Sequence, residues 1–312
     1  MGMPVLRSAE EWCAHFGKHR RGVVTTIGNF DGVHRGHQAI LRRVRERAAE
    51  QGALSAVLTF FPHPARVVRP AAAPQLIETL EQRLRDLEAQ GAEAVLVLRF
   101  DAETARILAE DFARIFLAEA MGARGVLVGE NFRFGHRQEG DVKLLSALGG
   151  KYGFDVGIVP PVEEGGVIIS SSGIRQAVRE GRVEDAGKML GRPFTLAGEI
   201  RPGTGVGRKL VVPTLNLETE QELLPQNGVY ATEAFVRGGV YRAATNIGTR
   251  PTFDGKRLAI ESHLFGFSGE LKDGPLEIRF HKRLRDERKF SGAEELKAQV
   301  LRDMQEAQKY FD

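Results

Sequence analysis

From Gly22 onward, the first half of the chain alternates short apolar runs with amphipathic segments. The apolar runs predict five strands: Val23–Ile27, Ala56–Phe60, Ala94–Leu98, Gly125–Val128 and Val156–Val159. Apolar positions three or four residues apart predict helices between them, over His34–Gln51, around Leu80, Leu84 and Leu87, and around Phe112, Phe116 and Ala120. This alternation is typical of a parallel sheet covered by helices, a doubly wound α/β domain.

The pattern changes near Gly187. Short strands separated by glycine, proline and asparagine turns follow, at Phe194–Ile200, Gly228–Phe235, Tyr241–Ile247, Ile260–Phe265 and Leu276–Phe280. This pattern predicts a closed antiparallel barrel. A final helix is predicted by an apolar stripe and by Ser291 with Glu294 three residues later, the pattern of a capping box. We therefore predict two domains, residues 1–186 and 187–312.

The composition restricts the classes of protein that are possible. A length of 312 residues suits two domains, and a net charge of +3 is too small to indicate a nucleic-acid or membrane partner. The single cysteine, Cys13, excludes intrachain disulfides and multi-thiolate metal sites. No apolar run reaches the length of a membrane helix, and the first residues lack the apolar segment of a signal peptide. We expect a cytoplasmic enzyme that handles small anions.

The first chemical signal is the segment Thr25–Gln38, TTIGNFDGVHRGHQ, at a predicted strand-to-helix junction. A helix start offers unpaired amide groups and a partial positive charge, which favour phosphate. His34 and His37 lie on one side of the first turn and can donate hydrogen bonds to an anion, and Gly36 leaves room for a nucleotide to approach. Taken alone, the two histidines are equally well explained as residues that cap or solvate a helix end.

Three further segments of the first half carry polar groups at the ends of predicted elements. TFFPHP, Thr59–Pro64, ends a strand in a rigid proline turn. Val126–Asp141 contains Asn131 and Arg133 in a glycine-punctuated loop, and Ile169–Arg175 places hydroxyls and an arginine at a helix start. Separately, a proline turn and a serine cap are the simpler interpretations of the first and last of these segments.

The second half contains three candidate features. The loop beginning at Gly203, GTGVGRK, matches neither a P-loop nor a Rossmann fingerprint, and the pattern alone favours a flexible hairpin. Thr214 and Asn216 alternate on an extended segment, so both oxygens could reach one Mg²⁺ ion. Glu261 lies in the apolar strand LAIESHLF, either facing the barrel interior as a general base or facing outward between Ile260 and Ser262.

In order and spacing, GNFDGVHRGH, TFFPHP, GENFRFG and ISSSGIR resemble the adenylyltransferase module of prokaryotic bifunctional riboflavin kinase/FAD synthetases. The resemblance implies an HxGH nucleotidyltransferase (Rossmann-like) domain in which His34 and His37 are catalytic. It implies that the nucleotide is bound by Gly28, Asn29, Phe30, Gly36, Asn131, Ser171 and Arg175. It implies that the flavin is bound by Pro62, His63, Pro64 and Phe134. The chain departs from the family pattern at Arg137 and Gln138, where glycine and arginine are frequent.

The segments GTGVGRKLVVPTLN, LPQNGVYAT, NIGTRPTF, IESHLF and LRDERKF resemble the riboflavin kinase module that usually follows. The resemblance implies a six-stranded barrel with Glu261 as the base that activates the ribityl 5′-hydroxyl. Thr214 and Asn216 then hold metal and nucleotide, and a mobile loop carrying Arg285 closes over the flavin. Further nucleotide contacts are implied for Gly203, Gly205, Gly207 and Lys209, and a further flavin contact for Arg250. Gly266 and Lys272 replace residues that are common in the family.

Together the two resemblances imply that ATP phosphorylates riboflavin to FMN, and that a second ATP converts FMN to FAD with release of pyrophosphate. Mg²⁺ is the expected cofactor, with ATP as co-substrate. Two alternatives remain at this stage. An HxGH enzyme with another acceptor predicts no kinase base in the second half, and an RNA-binding protein predicts a basic stripe with interleaved aromatic residues, which the sequence lacks.

Overall fold

In the computed structural model we describe residues 2–17, 21–201, 214–252, 255–267, 271–288 and 290–312, and for residues 250–252, 255–257 and 293 only the backbone. The chain divides into two units. The first comprises Met1–Pro74 and Leu80–Ile169, and the second comprises Gln75–Thr79 and Ser170–Asp312.

The first unit is a six-stranded parallel sheet with helices on its faces. Its strands and helices, in chain order, are β1 (Val5–Leu6), α1 (Ala9–Phe16), β2 (Val23–Ile27), α2 (Arg35–Glu50), β3 (Leu54–Phe61), α3 (Pro64–Val68), α4 (Leu80–Ala89), β4 (Ala94–Arg99), α5 (Ala109–Phe112, continuing as a π-helix over Ala113–Met121), β5 (Ala123–Gly129), α6 (Val142–Tyr152), β6 (Asp155–Val159) and the hairpin β7 (Glu163–Glu164) and β8 (Val167–Ile168). Short 3₁₀ turns lie at Pro70–Ala72, Thr104–Arg106 and His136–Gln138.

The order of strands in the sheet is β1-β4-β3-β2-β5-β6, and every pairing is parallel. The chain winds from β2 towards β4 on one side and from β5 to β6 on the other, so the winding reverses between β2 and β5. In a doubly wound sheet this reversal opens a crevice at the carboxyl ends of the two strands, where ligands bind. The strand β2 is buried along its whole length, which explains its continuous apolar and threonine sequence.

Helix α6 was missing from the sequence interpretation. It carries Gly149 and Gly150 in its last turns, and glycine lowers the helical propensity of such a run. A side chain at Gly149 would clash with the carbonyl oxygen of Phe154, so glycine is needed where the chain folds back towards β6. Two parallel neighbours also require a crossover connection, and α6 is that connection.

The second unit is a barrel with helices packed against it. Two helices, α7 (Ser171–Arg179) and α8 (Val183–Leu190), precede the strands β9 (Phe194–Arg201), β10 (Leu215–Glu218), β11 (Gly228–Val236), β12 (Gly239–Thr252), β13 (Gly255–Leu264) and β14 (Pro275–Asp286), and the chain ends in α9 (Ala293–Phe311). The strands close in the order β10-β13-β12-β11-β14-β9. The predicted fold class, a parallel α/β sheet followed by a six-stranded antiparallel barrel and a C-terminal helix, is confirmed.

Helices α7 and α8 share a hydrophobic core with the barrel. Ile174, Val178 and Val183 pack in the same buried cluster as Phe194 and Phe280 of the barrel wall. The residues from Ser170 onward therefore pack with the second unit, whereas we predicted a domain boundary between residues 186 and 187. The sequence boundary stays a prediction, because a helix pair can follow one domain in sequence and still pack its apolar face on the next.

Among the residues that the structure describes, the mostly apolar barrel interior contains a chain of three hydroxyl groups. Thr245 lies 2.7 Å from both Thr232 and Ser262, oxygen to oxygen, and all three residues are fully buried. Each hydroxyl can donate one hydrogen bond and accept another, so the three groups satisfy one another inside the barrel.

Helix α9 lies on the outer wall of the barrel. Its Ala307, Met304 and Phe311 pack on Ala231 and Ala244. The predicted capping box is wrong, because Glu294 is not the acidic residue that Ser291 contacts. Ser291 donates from its amide and its hydroxyl to the carboxylate of Glu295 rather than Glu294, at 2.9 and 2.7 Å. The helix begins after Gly292, one residue later than the pattern implied, so the acidic side chain that reaches back is also one residue later.

Within the part of the chain that the structure describes, no helix is both long enough and apolar enough to span a membrane.

Candidate functional site

Three of the motifs follow adjacent strands at the carboxyl edge of the parallel sheet. The HxGH segment follows β2, the proline turn follows β3 on one side of it, and the Asn131 loop follows β5 on the other. The Gly28 amide donates to the Leu58 carbonyl at 3.1 Å, and the Thr59 hydroxyl donates to the Asn29 carbonyl at 3.3 Å. These bonds fix the start of the HxGH loop against β3, at the reversal point where a ligand crevice is expected.

His34 and His37 form a stacked pair at the start of α2. Their ring centroids are 3.7 Å apart and the ring planes differ by 19°. His34 is the N-cap of the helix, and its Nδ1 accepts a hydrogen bond from the His37 amide at 3.4 Å. A ring nitrogen that accepts carries no proton, so in neutral His34 the proton lies on Nε2. The predicted pairing on one side of the first turn is confirmed.

The pKa of His37 lies well below the ordinary histidine value of 6.5. Burial of the ring is the largest cause, followed by the nearby positive charges of His34 and Arg83. The Nδ1 atom of His37 is buried and has no hydrogen-bond partner, although other parts of the residue keep some exposed surface. His37 is therefore neutral near pH 7. A negatively charged group placed beside the ring would raise its pKa and so favour the protonated form.

Arg83 is a residue that the sequence interpretation missed. It lies in α4, it is only 1% exposed, and its Nη1 donates to the Phe60 carbonyl at 3.4 Å, just before the proline turn. A buried arginine beside a phosphate-type site adds positive charge that water does not screen. Its sequence context, an ordinary amphipathic helix, contains no signal that would have identified it.

The low pKa of His37 predicts a pH dependence of stability. Around pH 6.5 and below, His37 takes up a proton in the unfolded chain but not in the folded chain. The free energy of unfolding is therefore highest above pH 6.5, and it falls as the pH is lowered towards the pKa of His37 in the folded chain. At pH 5.5 the free energy of unfolding is therefore expected to be lower than at pH 7.5, by roughly 1 kcal/mol from this one group. Urea unfolding followed by Trp12, the only tryptophan and fully buried in the first unit, measures the effect.

The control for this prediction is His37→Gln, which cannot take up a proton. We expect the free energy of unfolding to fall less between pH 7.5 and pH 5.5 in this variant than in the wild-type protein. Equal differences in the two proteins would show that His37 titrates normally in the folded state.

The glycines and Phe30 in the HxGH loop shape the loop itself. Phe30 is 1% exposed and packs among core residues, with its backbone in the left-handed region at φ 51°. A side chain on Gly28 would come within 3.2 Å of that ring, and one on Gly36 within 3.1 Å of the His34 ring. Gly36 therefore leaves room for the His34 ring, and its predicted role in the approach of a nucleotide stays a prediction. Asn29, in the same loop, is half-buried.

The predicted flavin wall begins at the end of β3. Pro62, His63 and Pro64 are half-buried, and Nδ1 of His63 accepts from the Ala65 amide at 3.2 Å, so the histidine caps α3. Phe134 is 7% exposed and stacks on Phe132 with centroids 5.5 Å apart. The flavin contacts of these residues stay predictions.

The loop after β5 explains one departure from the family pattern. Asn131 is exposed, as a ligand-binding side chain must be. Arg137 and Gln138 both have left-handed backbones, with φ of 52° and 61°. Such conformations cost a residue with a Cβ about 1 kcal/mol each, whereas glycine adopts them freely. The structure thus gives a reason for the glycine that is frequent in the family at this turn.

Ser171 and Arg175 lie in the second unit, in the first two turns of α7. The N-cap is Ser170, whose hydroxyl accepts from the Gly173 amide at 3.2 Å, and Ser171 follows it. Arg175 is 8% exposed, and its Nε donates to the Gln75 carbonyl at 2.8 Å within the same unit. Their predicted contacts with nucleotide phosphates stay predictions.

Glu261 faces the outside of the barrel. Its neighbours Ile260 and Ser262 are buried in the interior, and side chains alternate along a strand. Of the two directions that the sequence left open, the structure therefore selects the outward one, and the role of Glu261 as a base stays a prediction. Glu261 is half-buried on this outer wall, so it is accessible to a substrate while still partly shielded from water.

Glu261 belongs to one continuous row of side chains across all six strands. The strand register pairs Arg201 with Asn216, Asn216 with Glu261, Glu261 with Asn246, Asn246 with Val229 and Val229 with Arg285. Directly paired residues share a face, with Cβ atoms about 5 Å apart. The structure thus brings the predicted base beside the predicted metal ligand Asn216. The predicted flavin residue Arg285 lies on the same row.

Arg285 lies in strand β14 and forms a buried ion pair, so its predicted position on a closing loop is wrong. Its Nε and Nη2 donate to the two carboxylate oxygens of Asp303 in α9, at 2.8 and 2.6 Å. The Asp303 side chain is 5% exposed and the Arg285 side chain 21%. The bidentate pair fastens α9 to the barrel, and the flavin contact of Arg285 stays a prediction.

The remaining predicted residues differ in how far they can be placed. Thr214 is exposed and Asn216 half-buried, two residues apart on one face of the strand that enters β10. Gly203, Gly205, Gly207 and Lys209 lie outside the described residues, as does the side chain of Arg250. Among the described residues, no group of three or more histidine, cysteine, aspartate or glutamate side chains could hold a metal ion.

Comparisons with known proteins agree with both halves of the chain. A family model described as FAD synthetase matches residues 17–173, and one described as riboflavin kinase matches residues 190–311. Three relatives carry the name bifunctional riboflavin kinase/FMN adenylyltransferase. The Escherichia coli K12 protein is 37% identical over 94% of each chain, the Pseudomonas fluorescens protein 38% over 91%, and the Bacillus subtilis protein 36% over 92%.

A solved structure has the same overall fold. The crystal structure of a Streptococcus pneumoniae protein, described there as a macrolide-efflux protein, superposes with a TM-score of 0.85 at 28% identity, covering 97% of each chain. Both family models together span nearly the whole chain, and the relatives are similar over the same length. The chain therefore belongs to the family of bifunctional riboflavin kinases/FMN adenylyltransferases, as its sequence motifs predicted.

Proposed function

We propose that the chain makes FAD in two steps, one in each half. In the barrel, ATP phosphorylates riboflavin to FMN and leaves as ADP. In the parallel α/β domain, a second ATP transfers its adenylyl group to FMN and leaves as pyrophosphate. The observation that carries the proposal is the register that pairs Glu261 with Asn216, because it places a carboxylate beside an oxygen ligand on an accessible wall, as a kinase requires.

The kinase step uses Glu261 as the general base. Its carboxylate takes the proton of the ribityl 5′-hydroxyl, the hydroxyl oxygen forms a bond to the γ-phosphorus, and the bond from that phosphorus to the bridging oxygen of ADP breaks. The reaction needs little covalent chemistry from the protein, so correct placement of the two substrates supplies most of the acceleration. The outward direction of Glu261 and its partial exposure would allow a substrate hydroxyl to reach the carboxylate.

The residues present fit Mg²⁺, although weakly by themselves. Thr214 and Asn216 offer a hydroxyl and a carboxamide oxygen, both hard ligands, on the same face as Glu261. They would hold the ion together with phosphate oxygens of ATP and water, which is the usual way that this ion is bound in kinases. When bound, Mg²⁺ neutralises charge on the phosphates during transfer.

The adenylylation step uses His34 and His37 as donors. An FMN phosphate oxygen attacks the α-phosphorus of ATP, and the bond to the bridging oxygen of pyrophosphate breaks. Because Nδ1 of His34 caps the helix, the proton of the neutral ring lies on Nε2, the nitrogen with which it would donate. His37 is neutral before ATP binds, because its pKa lies well below 6.5. The negative charge of the phosphates raises that pKa as ATP approaches, so the affinity of the ring for a proton increases. Buried Arg83 adds fixed positive charge behind the pair.

One assay tests the two-step proposal directly. Purified protein is incubated with riboflavin and MgATP alone, and the flavins are separated by chromatography. We expect FMN to appear first and FAD after it, with FMN supplied directly also converted to FAD. If no FMN forms from riboflavin at any magnesium concentration while supplied FMN is still adenylylated, the kinase half of the proposal is wrong.

A further inference from the structure

The loop between β5 and α6, residues 130–141, folds back on itself. Phe134 and Gly140 exchange two backbone hydrogen bonds, at 3.1 and 2.9 Å. A side chain on Gly140 would lie within 2.5 Å of the Phe134 ring, so the two arms of the loop are in close contact. The arms are therefore joined, and the position of Asn131, near the start of the loop, depends on what holds the second arm.

Glu139 attaches the second arm to the start of α5. Its Oε1 accepts from the amide of Ala109, the first residue of that helix, at 2.8 Å. The first amides of a helix have no acceptor within it, and Ala109 is only 1% exposed. The carboxylate is negative where the helix start is partly positive, which strengthens the bond. The loop backbone also approaches closely here, since a side chain on Gly135 would lie 2.6 Å from the Ala109 nitrogen.

His136 attaches the same arm to the 3₁₀ turn Thr104–Arg106. Its Nδ1 lies 2.9 Å from the Ala105 carbonyl oxygen, and because a carbonyl oxygen only accepts, Nδ1 carries a proton and donates. Between the two attachments, Arg137 and Gln138 have left-handed backbones. Residues with a Cβ keep such conformations only where surrounding contacts impose them, and such strain is frequent at functional sites. The strained turn indicates that these contacts hold the loop in one shape.

We propose that Glu139 is a positioning residue for FMN adenylylation: its bond to the start of α5 holds the loop so that Asn131 reaches the reacting phosphates. This inference rests on the proposed function and on the predicted nucleotide contact of Asn131. Because Asn131 is exposed, few contacts of its own fix its position, and the attachment of the second arm has to do so. A misplacement of about 1 Å can lower the rate of an enzyme by a factor of about 10².

The test is adenylylation of supplied FMN by Glu139→Ala and Glu139→Gln in the full chain. Alanine removes the acceptor, and we expect kcat to fall about tenfold while the KM for ATP changes less than about threefold, because the loss falls on the reacting phosphates. Glutamine keeps an oxygen that can accept from the Ala109 amide, so it should restore kcat to within about threefold of wild type. Riboflavin phosphorylation should keep its wild-type rate. Glu139 is exposed, so we expect both variants to fold, as Trp12 fluorescence will show.

The matched control is Glu110→Ala, at the residue that follows Ala109 in α5. The Glu110 carboxylate bonds to Lys151 and Tyr152 of α6, at 2.5 and 3.0 Å. This variant loses the same negative charge from the same helix start but keeps the bond between Glu139 and Ala109. It should therefore adenylylate FMN at the wild-type rate. A loss as large as that in Glu139→Ala would assign the effect to charge at the helix start and would contradict the inference.

A double-mutant cycle tests whether Glu139 acts through Asn131. Asn131→Ala alone should lower kcat, and adding Glu139→Ala should lower it by less than about a further twofold. If the two losses multiply, if glutamine fails to restore kcat, or if Glu139→Ala keeps the wild-type kcat, the inference about Glu139 is wrong. A wild-type chain that makes no FAD from FMN and MgATP would instead refute the proposed adenylylation.

Discussion

Glu261→Gln is expected to remove riboflavin phosphorylation, lowering kcat by a factor of about 10²–10⁴, the contribution of a general base. Glutamine has nearly the size of glutamate and can still form hydrogen bonds, but it cannot take the proton of the 5′-hydroxyl. Because the residue is half-buried on the outer wall, between buried Ile260 and Ser262, we expect the barrel to stay folded. The measurement is FMN formation from riboflavin and MgATP.

The matched control for this change is Glu233→Gln. Glu233 lies on β11, also on the outer wall, and pairs with His281 at 2.9 Å. The control should keep riboflavin phosphorylation within about twofold, because an outward pair away from the reacting groups has no part in the proton transfer. Adenylylation of supplied FMN should be normal in both variants. Wild-type FMN formation in Glu261→Gln would mean that another group takes the proton, or that no base is needed.

His37→Ala is expected to have the opposite effect, with FAD formation from supplied FMN falling by about 10²–10³ and riboflavin phosphorylation unchanged. The magnitude is that of removing one fixed donor from a developing negative charge. His37 stacks on His34 and lies near buried Phe30, with ring centroids 5.0 Å apart, so His37→Asn, which keeps a polar donor in less volume, serves as a second variant. The measurement is single-turnover conversion of FMN and MgATP to FAD.

The control for the histidine is His15→Ala, an exposed histidine in α1 of the same unit. It should adenylylate FMN at the wild-type rate. A His37→Ala protein that is folded by Trp12 fluorescence and still makes FAD normally would assign the phosphate chemistry to other residues. If either the Glu261 or the His37 change removes both activities from a folded chain, the assignment of one site to each half is wrong.

Much of the fold could be predicted because its signals are local. The strands β2 and β4 were located to within one residue, since parallel strands buried on both faces read as continuous apolar runs. The ends of β12 and β14 were missed by several residues, because barrel strands continue into polar segments that the hydrophobic pattern does not distinguish from loops. Helix α6 was missed because its two glycines lower the helical propensity of the segment, and the helix is stabilised instead by packing against β6.

The sequence predicted which residue types make up the candidate site, but it predicted the directions of their side chains less well. The stacked histidine pair followed from a spacing of three residues at a helix start, which is local geometry. The direction of Glu261 was left open, because alternation allows two registers and only the partner strands select one. The pairing of Arg285 with Asp303 joins residues from different elements and depends on where α9 packs.

By itself the sequence determined the two-part architecture, the family and the histidine pair, and it named Glu261 as the candidate base, because each depends on periodicity or on a short motif with fixed spacing. Only the tertiary structure decided that Glu261 faces outward between two asparagines, that Arg83 is buried near His37, and that Gly36 makes room for a histidine ring. These facts arise from contacts between distant segments. Such contacts set burial and register, and no local pattern encodes them.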